Sequence, residues 1–291
     1  IIPNEHYVSK QYLKYALPKR LKEIEDATPF VTVKHLSHKK VLDSKIPLPD
    51  LKTQQKIANI LAQADAARQK RKQANQLIEQ FLQSAFLEMF GDPVRNEKGW
   101  EVKRLKEISD KIQIGPFGTQ LHEEDYVENG IPLINPRHIN SGKIEADFKQ
   151  TITREKFATL SNYHLKIGDV IMGRRGEMGR CALISKREER WLCGTGSLFI
   201  RPSKQISPHY LIFVIGNSSF IKQLENDAQG VTMMNLNLTI VNNRSIPLPP
   251  LPLQQKFAAL VEKVERLRTK QRESERELEN LFQSLMQKYF G

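Results

Sequence analysis

The sequence predicts an α+β protein: one small mixed α/β domain and two long helices packed antiparallel as a coiled coil. Three observations carry this expectation. Ile46-Pro47-Leu48-Pro49 returns 200 residues later as Ile246-Pro247-Leu248-Pro249, and Gln54-Gln55-Lys56 returns as Gln254-Gln255-Lys256. Each copy is followed by about forty residues that contain no Gly or Pro after the opening turn, which reads as one long helix. Between them, residues 92–245 alternate short β-like runs with turn signals.

The repeat stays in register to Phe90-Gly91 and Phe290-Gly291, with about a third of its positions identical. It also reaches back before the helices. Val31-Thr32 and Leu36 align with Val231-Thr232 and Leu236, and with a two-residue shift Val8-Ser9 and Tyr12-Leu13 align with Ile206-Ser207 and Tyr210-Leu211. Residues 1–45 therefore read as the end of a domain whose complete version occupies 92–245. A chain opening at Ile1 rather than Met is read as a fragment, or as a processed or truncated form.

The first helix segment, 46–91, carries a heptad seam at Ile60, Ala64, Ala67, Arg71, Ala74, Ile78, Phe81 and Ala85. The second, 246–291, carries it at Leu260, Val264, Leu267, Gln271, Ser274, Leu278, Leu281 and Leu285. Both seams are interrupted by polar residues mid-rod. The first is small where the second is large, and an Ala-rich seam buries little area against itself. The two rods are therefore expected to pack on each other within one chain, with Leu267 and Leu278 against the small residues of the first. At about 1.5 Å per residue each rod spans roughly 60 Å.

Within 92–245, Val170-Ile171-Met172 and Arg180-Cys181-Ala182-Leu183-Ile184 flank a glycine-rich basic turn at 173–179, which predicts a hairpin. Leu198-Phe199-Ile200 is a further strand, Pro208 to about Asp227 one helix, and Thr153 to Leu160 a shorter one.

Forty-five Lys and Arg against 33 Asp and Glu leave a net charge of +12, spread over all segments. A diffuse positive field suits a polyanion, DNA or RNA before others. Two cysteines, Cys181 and Cys193, are too few for a disulfide framework, and no signal peptide or membrane span is recognisable, which points to a reducing cytoplasm. The glycine run at 173–179 lies between two strands, whereas nucleotide fingerprints lie between a strand and a helix. The cysteines lack histidine partners at ligand spacing and the pair His35 and His38 stands alone, so no metal site or cofactor is expected. His122, His138, His164 and His209 are isolated, and no paired-carboxylate or nucleophile motif is present. Arg174, Arg175 and Arg180 either face nucleic acid or are ordinary solvated hairpin arginines.

A series of motifs runs through this domain in order. Gly99-Trp100-Glu101-Val102-Lys103-Arg104-Leu105 opens it, followed by Gly115-Pro116-Phe117-Gly118 and Gly130-Ile131-Pro132-Leu133-Ile134-Asn135-Pro136-Arg137-His138-Ile139. Lys166-Ile167-Gly168-Asp169-Val170, Arg174-Arg175-Gly176, Gly194-Thr195-Gly196-Ser197 and Ile246-Pro247-Leu248-Pro249-Pro250-Leu251 complete it. In that order, with the duplicated helix, the chain resembles the specificity subunit of type I DNA restriction–modification systems.

The resemblance implies two target recognition domains, each followed by a spacer helix, and here only the end of the first domain is kept. It implies a non-catalytic, cofactor-free subunit that binds double-stranded DNA at a bipartite target. Its implied partners are methyltransferase subunits and an ATP-dependent restriction subunit. Base reading needs donors and acceptors in the major groove. The loop candidates are Gln113, Thr119, Gln120, Arg137, His138, Asn140, Arg174, Arg175, Arg180, Asn235 and Asn237, with Lys143 and Lys149 suited to phosphates. Two other readings stand beside this one. The first is a coiled-coil scaffold whose basic domain binds RNA or protein without sequence preference. The second is a specificity module once fused to a methyltransferase–nuclease.

Overall fold

The same anchoring group of side chains occurs twice, once at the start of each long helix. In the computed structural model, which describes residues 3–26, 38–176, 178–228 and 235–291, these helices run Leu51–Phe90 and Leu251–Phe290. Val31, Thr32, His35, Leu36, Glu177, Val231 and Thr232 of the sequence reading lie outside the described residues. In the first copy buried Gln54 accepts a hydrogen bond from Ser9 N at 3.0 Å and donates to Pro49 O at 2.7 Å. Its neighbour Tyr12 donates its hydroxyl to Pro47 O at 2.8 Å. In the second copy Gln254 accepts from Ser207 N at 2.8 Å and donates to Pro249 O at 2.7 Å, while Tyr210 donates to Pro247 O at 2.9 Å. The Ile-Pro-Leu-Pro run explains the arrangement. Proline has no N–H and holds its predecessor extended, so this backbone enters neither helix nor ladder fully and its carbonyls need side-chain donors.

The chain forms two compact units, one of Ile1–Glu79 with Val264–Gly291 and the other of Gln80–Lys263. The first is helical, adding Lys10–Asp26 and the short His38–Leu42 to its shares of the long helices. Its core joins Tyr12, Tyr15 and Ala16 to Ile57, Ala58 and Leu61 of the first long helix and Phe290 of the second, flanked by Phe282, Leu285 and Met286. Residues near the start of one helix thus meet residues near the end of the other, which is antiparallel packing.

The contact stripe differs from the expected one. Leu61 and Val261 are buried, where the sequence reading placed Ile60 and Leu260, both half-buried. Phe81, Leu267 and Leu281 are exposed at 51%, 48% and 52%, while Leu82 is buried and Phe282 packs on the core. Ala64 and Val264 are buried as expected; Ala67, Ile78, Ala85, Leu278 and Leu285 are half-buried. The stripe is therefore 61, 64, 68, 71, 75, 78, 82, one residue on from the expected positions at every other step. The physical reason is polar. Arg68 and Asn75, which look like surface residues, turn inward because the facing helix offers carboxylates. Arg68 Nε donates to Glu279 Oε2 at 2.8 Å, and its guanidinium lies 4.2 Å from the centre of the Phe282 ring. Asn75 donates to Glu275 at 2.9 Å.

In the second unit Phe86 and Phe90, near the end of the first long helix, pack on Phe257, with ring centres 5.6 and 5.4 Å away. Tyr210 stacks on Phe86 and meets Phe90 edge-on. Two four-stranded sheets lie in this unit beside two two-stranded ones. In one, Ser109–Ile114, Ser197–Pro202, Val170–Gly173 and Cys181–Leu183 lie side by side, all antiparallel. The other orders Leu192–Cys193, Ile131–Ile134, Thr151–Ile152 and Tyr126–Val127, with a parallel pairing of the first two. The expected hairpin is present, with Met172 opposite Cys181. The helix expected over 208–227 is two helices, Pro208–Ile215 and Ser218–Asp227, because Asn217 caps the second by accepting from Ser219 N at 2.9 Å. Thr153 caps Arg154–Thr159 by accepting from Lys156 N at 3.1 Å.

The observed stripe sets two outcomes apart. Leu61→Ala leaves a cavity in a closed core and is expected to cost about 2–5 kcal/mol. Leu267→Ala is expected to change stability by less than about 0.5 kcal/mol, as for an ordinary surface site. Chemical denaturation of both variants beside the parent checks this.

Candidate nucleic-acid interface

Strand register brings four loops of the second unit together. Ile114 lies opposite Leu198, and Ser197 lies opposite Gly173, so the chain leaves one strand, enters the next and leaves the third at one edge of the sheet. The parallel pairing of Cys193 with Ile134 adds the loop after Ile134 to the same place. The four loops are 115–120, 135–138, 174–180 and 194–196. Their backbones touch: a Cβ on Gly115 would run into the Gly194 carbonyl, and one on Gly194 would run into the Asn135 side chain. Only glycine permits that approach.

Arg174 binds the cluster together. It is 3% exposed, its N–H donates to Gly196 O at 3.0 Å, and its carbonyl accepts from Leu236 N at 2.9 Å. Its guanidinium donates to Thr195 O at 3.2 Å and to Asn235 Oδ1 at 2.6 Å, and lies 6.0 Å from the centre of the Phe117 ring. The expectation that Arg174 reaches from a free hairpin tip is therefore corrected: the Thr195 carbonyl and the Asn235 amide hold its guanidinium. Asn235 is likewise engaged. Arg175, the next residue, is exposed, and Arg180 is half-buried.

Other expected residues also have partners within the fold, although Gln120, Arg137 and Asn140 remain exposed. His138 is buried, with Nδ1 at 3.0 Å from Leu133 O and Nε2 accepting from Arg137 Nε at 2.9 Å. Burial, and next the Arg137 charge, push its pKa down, so the ring is neutral at pH 7 and serves the fold rather than a groove edge. Asn237 caps Leu238–Asn243 by accepting from Ile240 N at 2.9 Å. Gln113 donates to Ile114 O at 2.9 Å, and Gln120 accepts from the Tyr163 hydroxyl at 2.6 Å. Arg137 reaches Asp147 at 3.5 Å and also Gln150; Asn140 donates to Glu145 at 3.0 Å. Thr119, Lys143 and Lys149 are exposed.

Neither cysteine is a nucleophile poised for chemistry. Cys181 and Cys193 are buried, and burial pushes the Cys181 thiol up to about 12 and raises that of Cys193 further. Among the described residues no group of His, Cys, Asp and Glu is placed to hold a metal, and no helix is long and apolar enough to cross a membrane. What the loops offer is an edge tied together by hydrogen bonds, with Arg137 and Arg175 exposed on it. The type I restriction modification DNA specificity domain matches residues 1–80 and 97–280.

The chain belongs to this family. It is 28% identical over 288 residues to the type I restriction enzyme MjaIX specificity subunit of Methanocaldococcus jannaschii, covering 90% of this chain and 63% of that protein. It is 27% identical over 289 residues to the EcoBI specificity subunit of Escherichia coli, covering 89% and 60%. The chain thus spans about three fifths of the length of these specificity subunits. Its fold is similar to the S subunit of the type I restriction–modification system of M. genitalium, with a TM-score of 0.61 at 16% identity over 97% of this chain and 72% of that one. It is also similar to a chain from a study of complex assembly in the type I R-M system, with a TM-score of 0.59 at 21% identity over 100% and 73%.

The residue that sequence reasoning passed over in this specificity-family domain is Phe117, whose signal was the pair of glycines around it. The roles of the two arginines are separable by stability. Arg174→Ala strands Thr195 O and Asn235 and is expected to cost about 1–3 kcal/mol. Arg175→Ala is expected to leave the melting temperature unchanged. Thermal melting followed by circular dichroism reads both.

Proposed function

We propose that this chain is a DNA-recognition subunit of a type I restriction–modification complex. In this reading the domain at 92–245 reads one part of a bipartite target, and residues 1–45 are the end of an equivalent domain. The segments 46–91 and 246–291 are the spacer helices. The observation that carries the reading is the duplicated anchor. Tyr12 with Gln54 and Tyr210 with Gln254 make the same contacts with the same distances to within 0.2 Å, as expected of two equivalent modules serving two half-targets. The chain's charge of +12 supplies the attraction to phosphate that any duplex contact requires. The chain itself is proposed to be non-catalytic. Methylation, with S-adenosylmethionine, and ATP-driven cleavage belong to methyltransferase and restriction partners, which this subunit positions on double-stranded DNA in the cytoplasm. The reading as a scaffold without sequence preference draws no support from membership of this family.

Among the expected contacts, Thr119, Gln120, Arg137, Asn140, Lys143, Lys149 and Arg175 are exposed, and this reading places Arg175, Thr119, Lys143 and Lys149 toward DNA. Selection of duplexes from a random pool, with the methyltransferase partner present, is expected to return a defined motif; uniform, salt-sensitive retention of all duplexes would refute the reading. On the selected motif, a phosphate-contacting Arg175 changed to Ala is expected to weaken all duplexes alike and to flatten the salt slope by about one.

A further inference from the structure

Loop 115–120 is built to present one side chain. Its root is fixed where Gly115 lies against the Gly194 carbonyl and donates to Ser197 O at 3.0 Å. Its tip is closed by Gln120 N donating to Phe117 O at 2.8 Å, and its far end is tied through Gln120 to the Tyr163 hydroxyl at 2.6 Å. Gly118, on the other side of the tip, has open space around it. Between these fixed points the Phe117 ring is 57% exposed. Covering a large apolar side chain that stands in water on a tied loop is favourable in proportion to the area a partner removes from solvent.

The surroundings select the partner. Behind the ring lies the Arg174 guanidinium, 6.0 Å from its centre and itself held by Thr195 and Asn235. The four loops 115–120, 135–138, 174–180 and 194–196 contain Arg137, Arg174, Arg175 and Arg180 against a single carboxylate, Glu177. The acidic run that follows, Glu123-Glu124-Asp125, belongs to a separate turn in which Asp125 is tied to Lys156 at 2.9 Å and to His122 N at 2.7 Å. An exposed aromatic ring backed by a cation suits a base in a polyanion. Apolar wedges enter base steps, and aromatic rings stack on bases whatever their identity.

We propose that Phe117 is a DNA-contacting residue whose ring stacks against a base at an opened step of the target duplex. The inference rests on the reading of this chain as a DNA-recognition subunit and adds to it a positioning contact that involves no hydrogen bond to a base edge. Arg174 acts through the ring: it fixes the aromatic face from behind and is not itself offered to the duplex.

The test uses the full chain with its methyltransferase partner and the duplex selected by the parent from a random pool. Phe117→Ala is expected to lose about tenfold or more in affinity while keeping the parent's melting temperature and, since no charge is removed, the parent's salt slope. Phe117→Trp is expected to retain binding, and Phe117→Leu to fall between. Scanning the selected duplex with 2-aminopurine is expected to show one position whose emission rises with the parent and with Phe117→Trp but not with Phe117→Ala. A parent that selects a motif while Phe117→Ala binds it equally well overturns this proposal alone. Full binding by Phe117→Leu, or loss of methyltransferase capture by Phe117→Ala without DNA, also overturns it, the latter by assigning the ring to a protein contact. A parent that selects no motif overturns both this proposal and the reading beneath it.

Discussion

A primary amide buried beside proline-rich backbone has to satisfy one acceptor and two donor positions, and both long helices begin on that constraint. Gln54 and Gln254 are fully buried, and each joins a serine N–H some 45 residues earlier in sequence to a proline carbonyl five residues before it. Leaving such an amide unpaired costs about 1–3 kcal/mol per group, so the serine, the proline run and the helix start are bound to one geometry. The tyrosine beside each glutamine extends that geometry. Tyr12 lies 5.3 Å from Phe290 and Tyr210 lies 4.8 Å from Phe90, ring centre to ring centre, so the start of one long helix is locked to the end of the other in each unit.

In the sheet-bearing unit, the equivalent constraint is close approach of backbone to backbone. The loops after Ile114, Ile134 and Gly173 converge because antiparallel and parallel pairings place those residues at one edge. Convergence leaves carbonyls facing inward, and Arg174 supplies their donors. A cation there, rather than a neutral amide, reaches two acceptors with a planar fork and backs an exposed aromatic ring at the same time. The edge is thereby stiffened from within while Arg175, adjacent in sequence, stays in solvent.

The period and phase of the repeat made the helices, their antiparallel sense and the anchors legible in the sequence, because identical residues at a fixed offset have identical environments. The contact stripe was not legible. Ile60 and Phe81 are apolar and half-buried or exposed, whereas Arg68 and Asn75 are polar and face the partner helix, and hydrophobic periodicity ranks them the wrong way round. The loops divide similarly. The hairpin and its basic turn follow from alternation and glycine, but the fates of Arg174 and Arg175 depend on which one meets Thr195 and Asn235, residues 21 and 61 positions away. His138 and Asn237 have the chemistry to read a base, yet a neighbouring carbonyl and a helix start take up that chemistry first. Short-range capping competes with recognition for the same side chains and leaves no distinct mark in composition.

The pairing of Tyr12 and Lys19 with Phe290 has a consequence for the order of synthesis. Lys19 Nζ donates to Phe290 O at 3.2 Å, across 271 residues of chain. The unit built on these contacts cannot close until the last turn of the second long helix has emerged from the ribosome, whereas the unit formed by Gln80–Lys263 is contiguous and complete earlier. Residues 8–16 and 51–61, whose apolar faces are destined for Phe282, Leu285 and Phe290, therefore lack that cover until those residues have been made. Domains folding in the order of their appearance leave such early segments open to misassociation and to chaperones. In this chain, the apolar surface of residues 8–16 and 51–61 waits for cover on residues made more than two hundred positions later.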